Sequence, residues 1–315
     1  MLSVRLWTAA LMGLAHLLLI SGTVLASPST PTPTRTPTKV PTRVPTATLS
    51  RTPTKQPSTP TPTPAPSLAL LPTPTSTPTP PLQQGIIGSQ VIGFSGEGRP
   101  LTVYQLGAGS RSVLVVGGID GGTESNTTLL VDQLLERLPN EPDVLQSGFV
   151  LLFLPAANPD GLASGERTLA DGVDANRNWP TDDWSPDTYV AGPTLIPGGG
   201  GPYPFSEAET QALAGFVRDT HPSLIVSYHS AAGLVMTGPH ARALGLDVLY
   251  AGVTRYASGD WVAYPVTGDF AQWTEDQGIP TVEVELPDHS STDFDANFRA
   301  FATMIMDLRA LLPMG

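Results

Sequence analysis

The sequence predicts an α/β fold with a mixed, largely parallel central sheet and helices on both faces. Three observations lead there. The apolar runs at residues 113–116 and 149–154 are continuous rather than alternating, as in strands covered on both sides. Strand-like runs are interleaved with segments whose apolar residues recur at helical spacing, the pattern of parallel strands joined by crossover helices. The first two strand-like segments instead read as a hairpin, which makes the sheet mixed.

In chain order, residues 89–94 and 101–105 flank the turn segment SGEGRP and form that hairpin. After the run at 113–116, residues 124–138 carry Leu129, Leu130, Val131, Leu134 and Leu135 as a helical stripe. The strand at 149–154 follows. Ser206 with Glu209 three residues on reads as a capping box ahead of Leu213, Phe216 and Val217, and His221-Pro222 ends that helix. Residues 224–227 form a strand running into Tyr228-His229. Residues 244–256 read as helix, 280–286 as strand, and 294–312 as a closing helix with Phe298, Phe301, Ile305 and Leu308 along one side.

Upstream of this domain, taken as residues 84–315, the composition changes twice. Residues 1–26 have one early Arg, a long apolar run and the small-residue ending Val24-Leu25-Ala26, so a cleaved signal peptide or a retained signal anchor is expected. Residues 27–83 form a Pro/Thr/Ser tract with too few apolar side chains to build a core, expected to be a disordered linker. At roughly 3.1 Å per residue such a linker reaches on the order of 100 Å. A secreted or extracytoplasmic location, tethered to the envelope if the anchor is kept, follows, with membrane contact confined to that segment. The chain has no cysteine, so disulfides and thiolate metal sites are excluded. Residues 1–82 hold six basic residues and no acid, whereas residues 83–315 hold ten arginines against 28 Asp and Glu. That acidity argues against nucleic acid as a partner. About 230 residues suffice for one core, and a monomer is expected.

The stretch 158–179, NPDGLASGERTLADGVDANRNW, follows the strand at 149–154 and is too polar and glycine-broken for core. It reads as a ligand-facing loop beyond a strand end. Arg167 and Arg177 offer planar forks suited to a carboxylate, and Asn176 adds an amide donor. Taken singly, each arginine suits a surface ion pair equally well. The whole string, however, closely resembles the substrate-binding segment of the zinc carboxypeptidase family, which includes carboxypeptidase A and the bacterial murein peptide amidases. The resemblance extends over about residues 113–312. It implies that Asn176 and Arg177 hold a substrate's terminal carboxylate and that Arg167 polarises the scissile carbonyl.

The same resemblance implies one zinc ion, held by a ligand pair after the 113–116 strand and a His at a later strand end. The loop reads GGIDGGTESNTT, with Asp120 where the family has His and with Gly121, Gly122 and Thr123 before Glu124, one residue more than usual. The two glycines leave the backbone free enough to bring both carboxylates to one ion. His229 fits the third position, so the implied set is Asp120, Glu124 and His229. A carboxylate in place of imidazole reduces the Lewis acidity of Zn²⁺ and widens metal choice toward ions such as Mn²⁺. On its own, Asp120 before Gly-Gly also suits a turn. The formal sequon at Asn126 adjoins a proposed ligand and is discounted.

In TVEVEL, Glu283 and Glu285 point to one face, with Glu285 nearer the strand's carboxyl end. The resemblance makes Glu285 the general base and leaves Glu283 a supporting role. It maps Tyr264 onto a substrate-contacting Tyr and puts Asp269 near the pocket for the leaving residue, where a carboxylate favours a cationic side chain. Asp269 equally suits the N-cap of a helix over 270–277. The expected activity is an exported zinc exopeptidase acting beside a residue with a free carboxylate, with a peptide or cell-wall peptide as partner. A second reading, an inactive binding module whose metal site is degenerate at Asp120, competes with it. No GxSxG elbow or phosphate-cradling Gly-rich loop supports a serine hydrolase or a nucleotide enzyme.

Overall fold

The computed structural model describes residues 88–190 and 192–312. The expected signal segment at 1–26 and the tract at 27–83 lie outside them. Among the described residues no helix is long and apolar enough to cross a membrane.

The hairpin forms from β1 (Gly88–Phe94) and β2 (Pro100–Leu106), paired antiparallel. Next come β3 (Arg111–Val116), α1 (Ser125–Arg137), the short α2 (Pro142–Leu145) and β4 (Phe149–Leu154). The loop expected at 158–179 contains a short helix, α3 (Pro159–Ser164), because Asn158 Oδ1 accepts the Gly161 N–H at 2.7 Å and caps it. A two-stranded ribbon, β5 (Thr188–Tyr189) and β6 (Leu195–Ile196), leads to α4 (Ala208–Thr220) and β7 (Leu224–Ser230). The chain continues through β8 (Leu234–Thr237), α5 (Pro239–Ala243), α6 (Leu246–Thr254), β9 (Ala257–Ser258), α7 (Phe270–Asp276), β10 (Thr281–Leu286) and α8 (Phe294–Leu311).

The eight-stranded sheet has the order β1-β2-β4-β3-β7-β10-β8-β9. Its centre, β4-β3-β7-β10, is parallel; β2 and β8 flank it antiparallel. The mixed, largely parallel sheet is therefore as expected. Side chains of the central strands alternate between two cores. Val113, Val115, Leu151, Phe153 and Val226 pack with α1, α6 and α8, while Leu114, Val116, Leu152, Leu154 and Ile225 pack with α4, α7 and the 158–179 segment. Both faces are covered, which is why these strands read as unbroken apolar runs.

The chain leaves β3 toward β4 on one side, and β7 then lies on the other side of β3. A crevice opens outside the carboxyl ends of strands at such a switch point. Asp120, the 158–179 segment, His229 and Glu285 all sit at that end of the sheet. The helix expected over 244–256 forms as α6, starting after Gly245, at φ 69°. One local reading fails. The capping box is not made: Glu209 Oε1 accepts the Gly96 N–H at 2.9 Å instead, because the hairpin turn packs over the start of α4.

Candidate functional site

Asp120 and Glu124 bracket a turn of 3-10 helix, Gly121–Glu124, that follows β3. Its tightness depends on the two glycines. A Cβ on Gly121 would stand 2.4 Å from the Glu166 carbonyl oxygen, and one on Gly122 2.4 Å from Gly165 Cα. Bare backbone lets this turn press against the segment that carries Arg167. His229 lies near the end of β7, opposite Glu285 of β10 in register.

These elements bring Asp120, Glu124 and His229 together, all buried, with one candidate ligand atom from each within 4.8 Å of the others. His229 Nδ1 is 3.0 Å from Asp120 Oδ2 and 3.6 Å from Glu124 Oε2. Its Nε2 meets Ser227 Oγ at 3.1 Å, a contact that fixes the ring and turns Nδ1 toward the carboxylates. Glu124 Oε2 also accepts the Ser230 N–H at 2.8 Å.

The cluster fits a divalent cation. Asp120 Oδ1 is buried with no hydrogen-bond partner. Burial pushes the Glu124 carboxyl up to about 7, with repulsion from Asp120 adding to it. Burial raises Glu283 to about 7 and Glu285 to about 8, only partly opposed by His229. Asp120 alone falls below its ordinary range, because Arg167 and His229 outweigh its burial. Burial is the leading cause of these upward shifts, and a cation held between Asp120 and Glu124 would favour their ionised forms. Carboxylate and imidazole are both ordinary zinc donors.

Arg167 and Arg177 are fastened differently. Arg167 donates through Nε to Asp174 Oδ2 at 2.8 Å, while its Nη1 lies 2.9 Å from Asp120 Oδ2 and 3.1 Å from Glu124 Oε1. Arg177 donates through Nε to the Tyr189 carbonyl at 2.9 Å and through Nη1 to the Asn176 carbonyl at 2.6 Å. Asn176 Oδ1 accepts the Phe270 N–H at 2.9 Å, joining this segment to the start of α7. Gly268 packs onto the Arg177 carbonyl, where a Cβ would come within 2.6 Å.

All nine residues singled out from sequence, Asp120, Glu124, Arg167, Asn176, Arg177, His229, Tyr264, Asp269 and Glu285, line one cavity of about 630 Å³. Glu285 is buried and its Oε2 has no partner. Tyr264 packs edge-on against Trp261 with ring centroids 5.2 Å apart, and burial raises its hydroxyl pKa. Asp269 Oδ1 accepts the Gln272 N–H at 2.8 Å, so this carboxylate caps α7 as well as facing the cavity. The sequon residue Asn126 is buried and its amide donates to the Asp288 and Ser291 carbonyls at 2.7 and 2.9 Å, which leaves no room for a glycan.

Sequence reasoning missed three supporting residues. Asp174 receives both Arg167 Nε and the Asn176 N–H. Asn178 ties together the Gly200 carbonyl, Ser206, Glu207 and Thr210. Ser230 links Asn126 to His289. The first two stand inside the segment already singled out, so its density of polar residues was their one visible trace.

A family model described as zinc carboxypeptidase matches residues 84–244. That stretch holds the three metal-ligand candidates, Arg167, Asn176 and Arg177; Tyr264, Asp269 and Glu285 come after it. Murein peptide amidase A of Escherichia coli (strain K12) is 30% identical over 216 residues, which cover 65% of this chain and 84% of the relative. Carboxypeptidase A6 of Homo sapiens is 27% identical over 240 residues, covering 62% of this chain and 54% of that protein. Among solved structures, murein-tripeptide amidase of Escherichia coli O157 superposes with a TM-score of 0.55 at 23% identity, over 72% of this chain and 94% of that one. These similarities and the buried three-residue cluster lead to one conclusion: the chain belongs to the zinc carboxypeptidase family and is a metallopeptidase that uses zinc.

Proposed function

We propose that the chain is an exported exopeptidase that hydrolyses the peptide or amide bond next to a residue with a free carboxylate, with cell-wall peptides as its substrate class. The observation that carries this reading is the presence of Arg177 and Asn176 in the same cavity as the metal-ligand candidates and Glu285. Arg177 spends Nε and Nη1 on carbonyls and keeps Nη2 for a ligand, and Asn176 keeps its amide NH₂. Two fixed donor groups beside one another are the means of gripping a carboxylate.

Asp120, Glu124 and His229 would hold the zinc ion, which when bound would supply Lewis acidity to the reaction. Arg177 and Asn176 bind the substrate's terminal carboxylate and so set which bond is presented. Arg167, held through Nε by Asp174 and through Nη1 by Asp120 and Glu124, has Nη2 left for the scissile carbonyl oxygen, where it stabilises the charge that gathers. Glu285 takes a proton from the attacking water as its oxygen bonds to the carbonyl carbon. The same carboxyl returns that proton to the departing nitrogen as the C–N bond breaks. Tyr264 and Trp261 wall the cleft and limit water.

Export rests on the composition of residues 1–26, with residues 27–83 as a Pro/Thr-rich linker ahead of a monomeric domain. The murein substrate class is supported by the names of the amidase relatives. The test uses peptides that differ only in a free or amidated C-terminus, with the zinc-loaded protein. Hydrolysis of the free acid, at least 100-fold faster than of the amide, is the expected result. Equal rates on both would overturn the reading.

A further inference from the structure

The cavity wall carries more carboxylates than the reaction uses, and the structure accounts for all but one. Glu275 accepts from the Thr281, His240 and Ala241 N–H groups and from the His240 ring. Asp260 pairs with Arg242 at 2.7 Å, and Asp276 lies out in solvent. Asp269 caps α7. Glu285 is the proposed base. That leaves Glu283, whose carboxylate accepts no hydrogen bond among the described residues.

Glu283 is not a metal ligand candidate, being outside the Asp120, Glu124 and His229 group. It does not orient His229 either. Its carboxylate is 3.9 Å from His229 Nε2, beyond hydrogen-bond reach, and that nitrogen already meets Ser227 Oγ at 3.1 Å. The residue's direction is set by β10. Val282, Val284 and Leu286 enter the core, so Thr281, Glu283 and Glu285 all face the cavity. Along a strand, Glu283 lies about 7 Å deeper than Glu285, roughly the reach of an extended lysine side chain from a bond held at the base. The side chain is 16% exposed, and that exposure is into the cavity. A partly buried carboxylate that receives no donor from the fold and opens onto the cavity is placed to take one from a ligand.

We propose that Glu283 selects the residue to be released: it pairs with a cationic side chain, such as the ammonium of a lysine-like or diamino acid residue, entering the cavity past Glu285. This rests on the exopeptidase reading above. It moves the choice of charge from Asp269, whose Oδ1 is committed to the helix, to a strand residue first read as a support. Because the partner charge is buried, a neutral isostere leaves the carboxylate unpaired, and discrimination is large.

The experiment uses the full-length, zinc-loaded protein with two peptides ending in lysine or in norleucine, which lacks only the ammonium. Binding of free L-lysine and L-norleucine is measured alongside by calorimetry. The wild-type protein is expected to favour lysine about 10- to 100-fold in both assays. Glu283→Gln should cut that ratio at least tenfold, with the loss on the lysine peptide appearing in KM. Asp269→Asn, which keeps the capping oxygen, should cut it less. No lysine preference in the wild type, an unchanged ratio in Glu283→Gln, or a larger effect at Asp269 would overturn the proposal. Turnover without lysine preference refutes Glu283 and spares the exopeptidase reading; lysine-selective binding without turnover does the reverse.

Discussion

At the scale of single residues, the informative position is Asp120. Two carboxylates and one imidazole together neutralise a divalent cation, whereas a set with a second imidazole would leave a net positive charge to act on the substrate. Arg167, within 2.9 Å of Asp120 and 3.1 Å of Glu124, restores a positive charge beside the pair. Asp120→Ala should therefore lower zinc affinity on the order of 100-fold or more, read as metal retained after dialysis against a weak chelator. Retention equal to wild type would remove Asp120 from the ligand set. Glu285→Gln keeps the shape and loses the base. Turnover should fall at least 1,000-fold while zinc content stays near one per chain. Arg177→Ala is expected to raise KM by about 10- to 100-fold on free-acid peptides, the worth of a charge-assisted pair, with much less effect on amidated ones.

At the scale of elements, the turns matter as much as the strands. The β1–β2 turn is tied to α3 through Asp160, which accepts Ser95 Oγ at 2.6 Å, the Glu97 N–H at 2.9 Å and Arg99 Nη1 at 2.7 Å. These bonds outweigh its burial and hold its pKa below the ordinary carboxylate range. The stabilisation is thus full above the unfolded-state value of about 4 and is lost as pH falls through the lower folded-state value. Asp160→Asn should cost about 2 kcal/mol at neutral pH, and the gap from wild type should close as acid is added below about pH 4. Denaturant melts at pH 7 and pH 3 test this; a constant gap would show that the charge is not what holds the turn. Glu209, read from sequence as half of a capping box, serves the same turn through Gly96. Local spacing could not distinguish a cap from a long-range partner, since both use the same carboxylate.

At the scale of the whole molecule, the parallel strands β4-β3-β7-β10 end together, and the candidate site is where their carboxyl ends meet. A cation bound there joins the turn after β3 to the end of β7, residues separated by more than 100 positions, so metal binding is coupled to folding. Zinc at about 1,000 times its Kd should add about 4 kcal/mol of stability, or about 10 °C in Tm for a domain of this size. Calorimetry with zinc and with chelator checks it, and coincident transitions would count against a metal site at this junction.

Much of this was legible in the sequence because it was written locally. Unbroken apolar runs announced strands buried on both faces, helical stripes announced their cover, and the polar density of 158–179 announced a site. What only the tertiary structure decided were relations between distant segments: that Gly121 and Gly122 admit the Arg167 segment, that Ser227 rather than Glu283 meets His229 Nε2, and that Asp269 is taken up by α7. The physical reason is that a hydrogen bond is satisfied by whichever partner the fold brings within about 3 Å. Sequence names the donors and acceptors, and only packing says which of them remain free for a substrate.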